Sequence, residues 1–139
     1  MIVSLNPEYQ NHSWYDIVGH GKSTSHRYSG DSLYADDILT RPSYRRQGIG
    51  TALMNARKKL CSKMSLKRMI GGARLYNYCL YANHMAAEEY ARLVANNELI
   101  DPVLSFDLRN GFKHVKTLPN YIADRRSLNF ASFIEWKNS

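Results

Sequence analysis

Arg45, Arg46, Gly48 and Gly50 are the residues of this chain best suited to chemistry by type and spacing. Two cationic side chains stand just ahead of two residues that lack a Cβ, so another group can come close to the backbone there. Helical spacing begins right after them. The first N–H groups of such a helix have no intrahelical acceptor, and its dipole is positive at that end. A basic, glycine-containing loop that opens a helix is suited to hold a phosphate or pyrophosphate. A Walker loop would need Gly-x-x-x-x-Gly-Lys-Ser/Thr, which is absent. A dinucleotide fingerprint would need Gly-x-Gly-x-x-Gly, of which only Gly48-x-Gly50 is present.

The stretch ahead of the loop, from Asp31 to Thr40, reads as a strand, and Pro42 prevents it from continuing as a central ladder. Alternation puts Asp36, Ile38 and Thr40 on one face and Asp37 and Leu39 on the other. Two acids in a strand run against propensity. A conflict of that kind marks a candidate site.

The other elements must position this junction. Ile2 to Leu5 can make a short strand, and Asn6 to Asp31 is a long polar and aromatic stretch broken by Pro7, Gly19, Gly21 and Gly30. From Gly50 to about Met64, Ala52, Leu53, Ala56, Leu60, Cys61 and Met64 recur at helical spacing and are expected inside. Asn55, Arg57, Lys58, Lys59 and Lys63 are expected outside. Leu66 to Gly72 reads as a strand ending in glycines, which makes a right-handed strand–helix–strand crossover. Ala73 to Ala82 is rich in tyrosine (Tyr76, Tyr78, Tyr81). A helix is expected from Met85 to Leu99, with Tyr90, Leu93 and Val94 inside and Glu88, Glu89 and Arg92 outside. Asp101 then caps another helix with Pro102 at its first position, closed by a left-handed turn at Asn110-Gly111. Phe112 to Leu118 and Asn129 to Trp136 are the last two strands.

Composition bounds the function. With 139 residues the chain is long enough for one domain, 1–139, with its own core. Its 44% hydrophobic and 22% charged residues suit a globular fold. No apolar run reaches the length of a membrane span, so no membrane partner is expected. Met1 to Pro7 lacks the basic and apolar regions of a secretory signal. Cys61 and Cys79 have no metal-type spacing and read as free thiols of a cytoplasmic protein, Cys61 as core. No metal site is expected: His12, His20 and His26 are irregularly spaced with no ligand cluster near them. The net charge of +7 favours an anionic ligand or nucleic acid. Nucleic acid is the less favoured partner, because the basic residues are spread over helix and loops instead of gathered with aromatics on one face.

The pattern Arg45-x-x-Gly48-x-Gly50, led in by Thr40-x-Pro42-x-Tyr44 and followed by Ile49-Gly50-x-x-Leu53, resembles the acetyl-CoA loop of the GNAT superfamily of N-acetyltransferases. The resemblance extends over most of the chain. Gly30-Asp31-x-Leu33-Tyr34, Lys67-Arg68 with Gly71-Gly72, Tyr78-x-x-Tyr81-Ala82, Glu88-Glu89-Tyr90, Glu98-Leu99-x-Asp101-Pro102, Asn110-Gly111-Phe112, Leu118-Pro119-x-Tyr121 and Glu135-Trp136 are similar to acetyltransferase domains fused to carbon–nitrogen hydrolases. It implies an α+β fold, a central and mostly antiparallel sheet flanked by helices. The chain corresponds to that fold from its third strand to its seventh. The strand, two helices and strand that usually come first have no counterpart here, and neither does the hydrolase.

The resemblance implies acetyl-CoA as co-substrate, an amine of a small molecule or protein as acceptor, and direct attack on the thioester. Ile38, Leu39 and Thr40 would hold the pantetheine arm. Arg45, Arg46, Gln47, Gly48, Ile49, Gly50 and Thr51 would hold the pyrophosphate. Asp37 or Asp36 is the candidate base, and a salt bridge to Arg41 or Arg74 is the competing role for either. Many GNAT enzymes use a tyrosine of the last helix as general acid. Asp107 stands at that place here and Asp101 at the place of an associated asparagine, so Tyr78, Tyr81 and His84 are the substitute candidates. A CoA-binding module without catalysis is the alternative function. The missing leading elements imply an uncovered edge at Ile2 to Leu5 and an exposed apolar sheet face, and hence a homodimer or larger assembly. A fragment of a longer protein would look the same.

Overall fold

Two seven-residue strands, side by side and flanked by helices, build the middle of the molecule. The computed structural model describes residues 2–3, 13, 32–35 and 49–138. Among these the elements are β1 (Ile2–Val3), β2 (Ser32–Ala35), α1 (Ile49–Lys63), β3 (Arg68–Arg74), α2 (Ala87–Ala95), α3 (Leu104–Arg109), β4 (Lys113–Leu118) and β5 (Ala131–Lys137). A 3-10 turn at Tyr78–Leu80 precedes α2. The sheet runs β1-β2-β3-β5-β4. β2 and β3 are parallel and every other neighbouring pair is antiparallel. This is the mixed, mostly antiparallel sheet expected. A parallel pair needs a crossover, and α1 supplies it.

β3 is the central strand, with Met69 to Ala73 all buried. The expectation that Gly71-Gly72 ends it is corrected, since the strand runs on to Arg74. Gly72 is there for a different reason. A Cβ built on it would lie 2.6 Å from Cε2 of Tyr121 and 2.7 Å from Cε1, so the Tyr121 ring can lie on the strand only over a glycine. Tyr121 then reaches across the face, its hydroxyl 2.8 Å from that of Tyr34.

The sheet has two covered faces. On one, Leu33, Met69, Ala73 and Ile134 meet Met54 and Cys61 of α1, Tyr90 and Val94 of α2 and Leu104 of α3. On the other, Tyr34, Ile70, Leu118 and Phe133 pack with Tyr121 and Ile122. The expectation that this second face exposes apolar side chains is corrected: Ile70, Leu118, Ala131 and Phe133 are fully buried. β1 stands at the sheet edge among the described residues, pairing Ile2 with Leu33 and Val3 with Ser32. That register lies earlier along β2 than the Tyr34 to Thr40 stretch expected.

α1 is turned almost opposite to expectation. Its Ala, Leu, Met, Arg and Lys content favours a helix. Yet Met54 and Cys61 are the residues it buries, whereas Ala52, Leu53, Ala56, Leu60 and Met64 are exposed. Lys58, expected outside, is half-buried: its ammonium donates to the Asn110 carbonyl and sits 5.4 Å from the Trp136 ring centre. Of the apolar set expected inside, Cys61 alone is buried. Its Sγ stands 3.6 Å from the Leu66 and Arg68 carbonyls, and burial pushes the thiol pKa up.

Candidate active site

The site is framed by the parallel pair. Ser32 is level with Arg68 and Ala35 with Gly71, so both strands run in the same direction toward the Asp36 end. The close of α1 lies beside the start of β3, where Cys61 meets the Arg68 carbonyl. The helix therefore runs back along the pair, and its first turn belongs at the carboxyl ends of β2 and β3. Open α/β sheets bind ligands outside the carboxyl ends of their strands.

Ile49, Gly50 and Thr51 make that first turn. Ile49 and Thr51 are exposed, Gly50 is half-exposed, and no acidic side chain stands in the turn. The remaining loop and strand candidates, Asp36, Asp37, Ile38, Leu39, Thr40, Arg45, Arg46, Gln47 and Gly48, lie outside the described residues. So does Arg41, one of the two arginines that could compete for the aspartates. The other, Arg74, has a partner elsewhere: its Nη1 is 3.5 Å from Asp124 Oδ1.

The structure brings the tyrosine candidates together and separates their roles. Tyr78 is buried, donates its hydroxyl to the Met85 carbonyl at 2.9 Å, and packs its ring 5.5 Å from Tyr90 and 5.7 Å from Phe130. Its proton is engaged inside the core. Tyr81 is half-buried, with its ring 5.4 Å from Tyr90. His84 is exposed at the end of the turn that Tyr81 begins, its backbone N–H donating to the Tyr81 carbonyl. Tyr81 and His84 are thus the more accessible of the three.

Two polar arrangements have no signature in the sequence. The first centres on Asp101, expected as a helix cap and, from the resemblance, at the place of an asparagine near CoA. Its Oδ1 accepts the N–H groups of Val103 at 2.9 Å and Leu104 at 3.0 Å, which fits the cap. Its Oδ2 also accepts the Asn77 N–H at 3.0 Å and the Tyr90 hydroxyl at 2.5 Å. Asp101 is fully buried and joins α3, α2 and the tyrosine-rich segment. Burial and the adjoining Asp101 carboxyl push the Tyr90 pKa far up, so its hydroxyl stays protonated. Asp101 is therefore a structural tie, and Asp107 is half-buried on α3.

The second arrangement ties α2 to the sheet. Glu88, expected outside, accepts from the Thr117 hydroxyl and stands 3.3 Å from His114 Nε2. His114 Nδ1 is 2.5 Å from Ser132 Oγ. A carboxylate only accepts, so in the neutral ring Nε2–H donates to Glu88 and Nδ1 accepts the Ser132 proton. Burial pushes the Glu88 pKa up, but the hydrogen bonds from Thr117 and His114, with the Arg92 charge and that of His114 when its ring is protonated, hold it below its ordinary value. Ser132 is fully buried, so this serine–histidine–glutamate chain fastens elements and presents no nucleophile. Its members lie far apart in the sequence and share no local pattern.

Comparison with known proteins agrees with this frame. Residues 5–93 match the model of the acetyltransferase (GNAT) family. An uncharacterised N-acetyltransferase of Bacillus subtilis, YkwB, is 38% identical over 99% of the chain, which spans 61% of that protein. The probable hydrolase YhcX of the same organism is also 38% identical over 99% of the chain, which spans only 27% of it. The solved GNAT-like decarboxylase GphF, in complex with isobutyryl-CoA, superposes with a TM-score of 0.79. That match covers 100% of this chain and 70% of the other, and at 15% identity it speaks for the fold alone. With the family model matched from residue 5 to residue 93, over more than half of its length, this chain belongs to the GNAT family of acetyltransferases.

Proposed function

We propose that the chain is an acetyl-CoA-dependent N-acetyltransferase that moves an acetyl group to an amine. The observation that carries this reading is the first turn of α1. It follows Arg45-x-x-Gly48 in the sequence, stands at the carboxyl ends of the parallel pair, and has no acidic side chain of its own. A pyrophosphate there meets backbone N–H groups and the positive end of a helix.

In this reading Arg45 to Thr51 hold the pyrophosphate. The backbone of Ile38 to Thr40 holds the pantetheine arm as an added strand. An N–H near Leu39 polarises the thioester carbonyl. Asp37, or Asp36, takes a proton from the amine, directly or through water. The amine nitrogen attacks the carbonyl carbon, the C–S bond breaks, and the CoA thiolate is protonated as it leaves. Tyr81 and His84 are the accessible donors for that proton, with Tyr78 behind them because its hydroxyl is held by Met85.

The test is an acetyl-CoA titration by calorimetry followed by an acceptor screen over small-molecule and peptide amines. Asp37→Asn should lower turnover by roughly 10²–10⁴-fold with little change in CoA affinity. CoA binding without any acetylated amine would favour a CoA-binding module. Acyl-CoA consumed with release of carbon dioxide would favour the chemistry named for the GNAT-like decarboxylase. A folded protein with no CoA affinity would end the reading.

A further inference from the structure

α1 has two sides, and the core uses only one. Met54 and Cys61 enter the core and Lys58 reaches the end of α3. At 3.6 residues per turn, Ile49, Ala52, Leu53, Ala56, Leu60 and Met64 fall on the opposite side as one stripe. All six are exposed, and the larger ones substantially so: Leu53 by 46%, Leu60 by 45% and Met64 by 45%. Helical geometry puts Lys59 along one border of the stripe with Lys63 just inside it, both exposed, and the half-buried Arg57 along the other. The helix contains no acidic residue.

We propose that this outward face of α1 is a seat for an anionic lipid surface. The stripe lies along a helix about 22 Å long, rimmed by cationic side chains. Lysine stems can lie on apolar surface while their ammonium groups reach headgroup phosphates. An apolar stripe bordered by lysine and arginine is the pattern of a helix lying in a membrane interface. Two other occupants fit less well. A second copy presenting its own α1 would set one basic rim against another. A protein partner anchors its central side chains in pockets, and a single helix face is a ridge. The expectation of no membrane partner rests on the lack of a spanning segment. No described helix is long and apolar enough to cross a membrane. Adsorption needs only one outward apolar face, which the structure supplies. This inference stands apart from acetyl transfer.

The test is co-sedimentation with phosphatidylcholine vesicles, alone or with about one-third phosphatidylserine, at low salt. The protein should pellet with the anionic vesicles and stay soluble with the neutral ones. Leu53→Gln/Leu60→Gln keeps the net charge and should lower partitioning at least about tenfold. Lys59→Gln/Lys63→Gln should do so by a similar factor. Circular dichroism must show both variants folded; if the leucine pair unfolds, Ala56→Gln serves as the milder disruption of the stripe. Failure of the folded wild type to bind anionic vesicles would overturn the proposal. So would equal binding by the leucine variant, which would assign adsorption to the overall charge of +7. Concentration-dependent self-association on a sizing column, abolished by the leucine variant, would overturn it in favour of a second copy.

Discussion

The helix starts at Ile49 and Leu104 are built in opposite ways. α3 begins on a buried carboxyl group of its own chain, with Asp101 accepting the Val103 and Leu104 N–H groups. The Asp101 N–H and carbonyl in turn bond Ser105, which closes the cap from both sides. α2 has Glu88 and Glu89 in its first turn. Among the described α-helices, α1 alone has no acid there. A helix start that already holds a carboxylate has its orphan N–H groups and its positive dipole end answered from within. A start without one can answer an external anion. Two arginines and two glycines surround the start of α1 in the sequence, which suits a phosphate group.

The largest expected effect comes from emptying the filled start. Asp101→Ala would leave the Tyr90 hydroxyl and three N–H groups without their acceptor, at a cost of at least about 3 kcal/mol. Urea unfolding should show the loss, and a variant as stable as the wild type would break the structural half of the comparison. Next comes obstruction of the open start. Gly48→Glu adds a side chain and a negative charge where the pyrophosphate would approach. Calorimetry should show acetyl-CoA affinity lowered at least about tenfold, or 1.4 kcal/mol, and unchanged affinity in a folded variant would end the assignment of the loop.

Thr51→Glu makes α1 resemble α2 and sharpens the contrast further. The added carboxylate should stabilise the helix by about 0.3–1 kcal/mol and weaken acetyl-CoA binding by a similar amount. The two effects have opposite signs, so a thermal melt and a titration on one sample separate them. Loss of stability together with loss of binding would mean simple damage. The smallest effect is in α2. Glu88 has its pKa lowered in the fold, so its contribution is complete above the unfolded value and disappears as pH falls through the folded one. Glu88→Gln should be slightly less stable near neutral pH and converge with the wild type in acid. Curves that stay parallel down to about pH 3 would show that the Thr117 and His114 contacts contribute nothing through the charge.

Much of the frame is legible in the sequence because its signals are local. The order of strands and helices, the cap at Asp101 and the left-handed turn at Gly111, whose φ is +93°, each depend on a few adjacent residues. Gly72 stands out in the sequence but reads there as a strand end. Its purpose lies with Tyr121, on a segment the local pattern cannot connect to it. Glu88 reads as a solvated residue for the same reason, since its partners Thr117 and His114 stand on β4. Tyr78 reads as available for proton transfer because nothing local shows that its hydroxyl turns inward to the Met85 carbonyl.

By itself the sequence determined that a helix runs from Gly50 to about Met64, observed as Ile49–Lys63, and that Cys61 is core. Each follows from residue type and spacing within a few turns. Only the tertiary structure decided which side of α1 meets the sheet. Periodicity tells which residues share a face, and α1 has apolar residues on two: Met54 with Cys61, and Leu53 with Leu60. The choice fell to the side whose Lys58 could also reach the Asn110 carbonyl and the Trp136 ring, partners that exist only once α3 and β5 are in place.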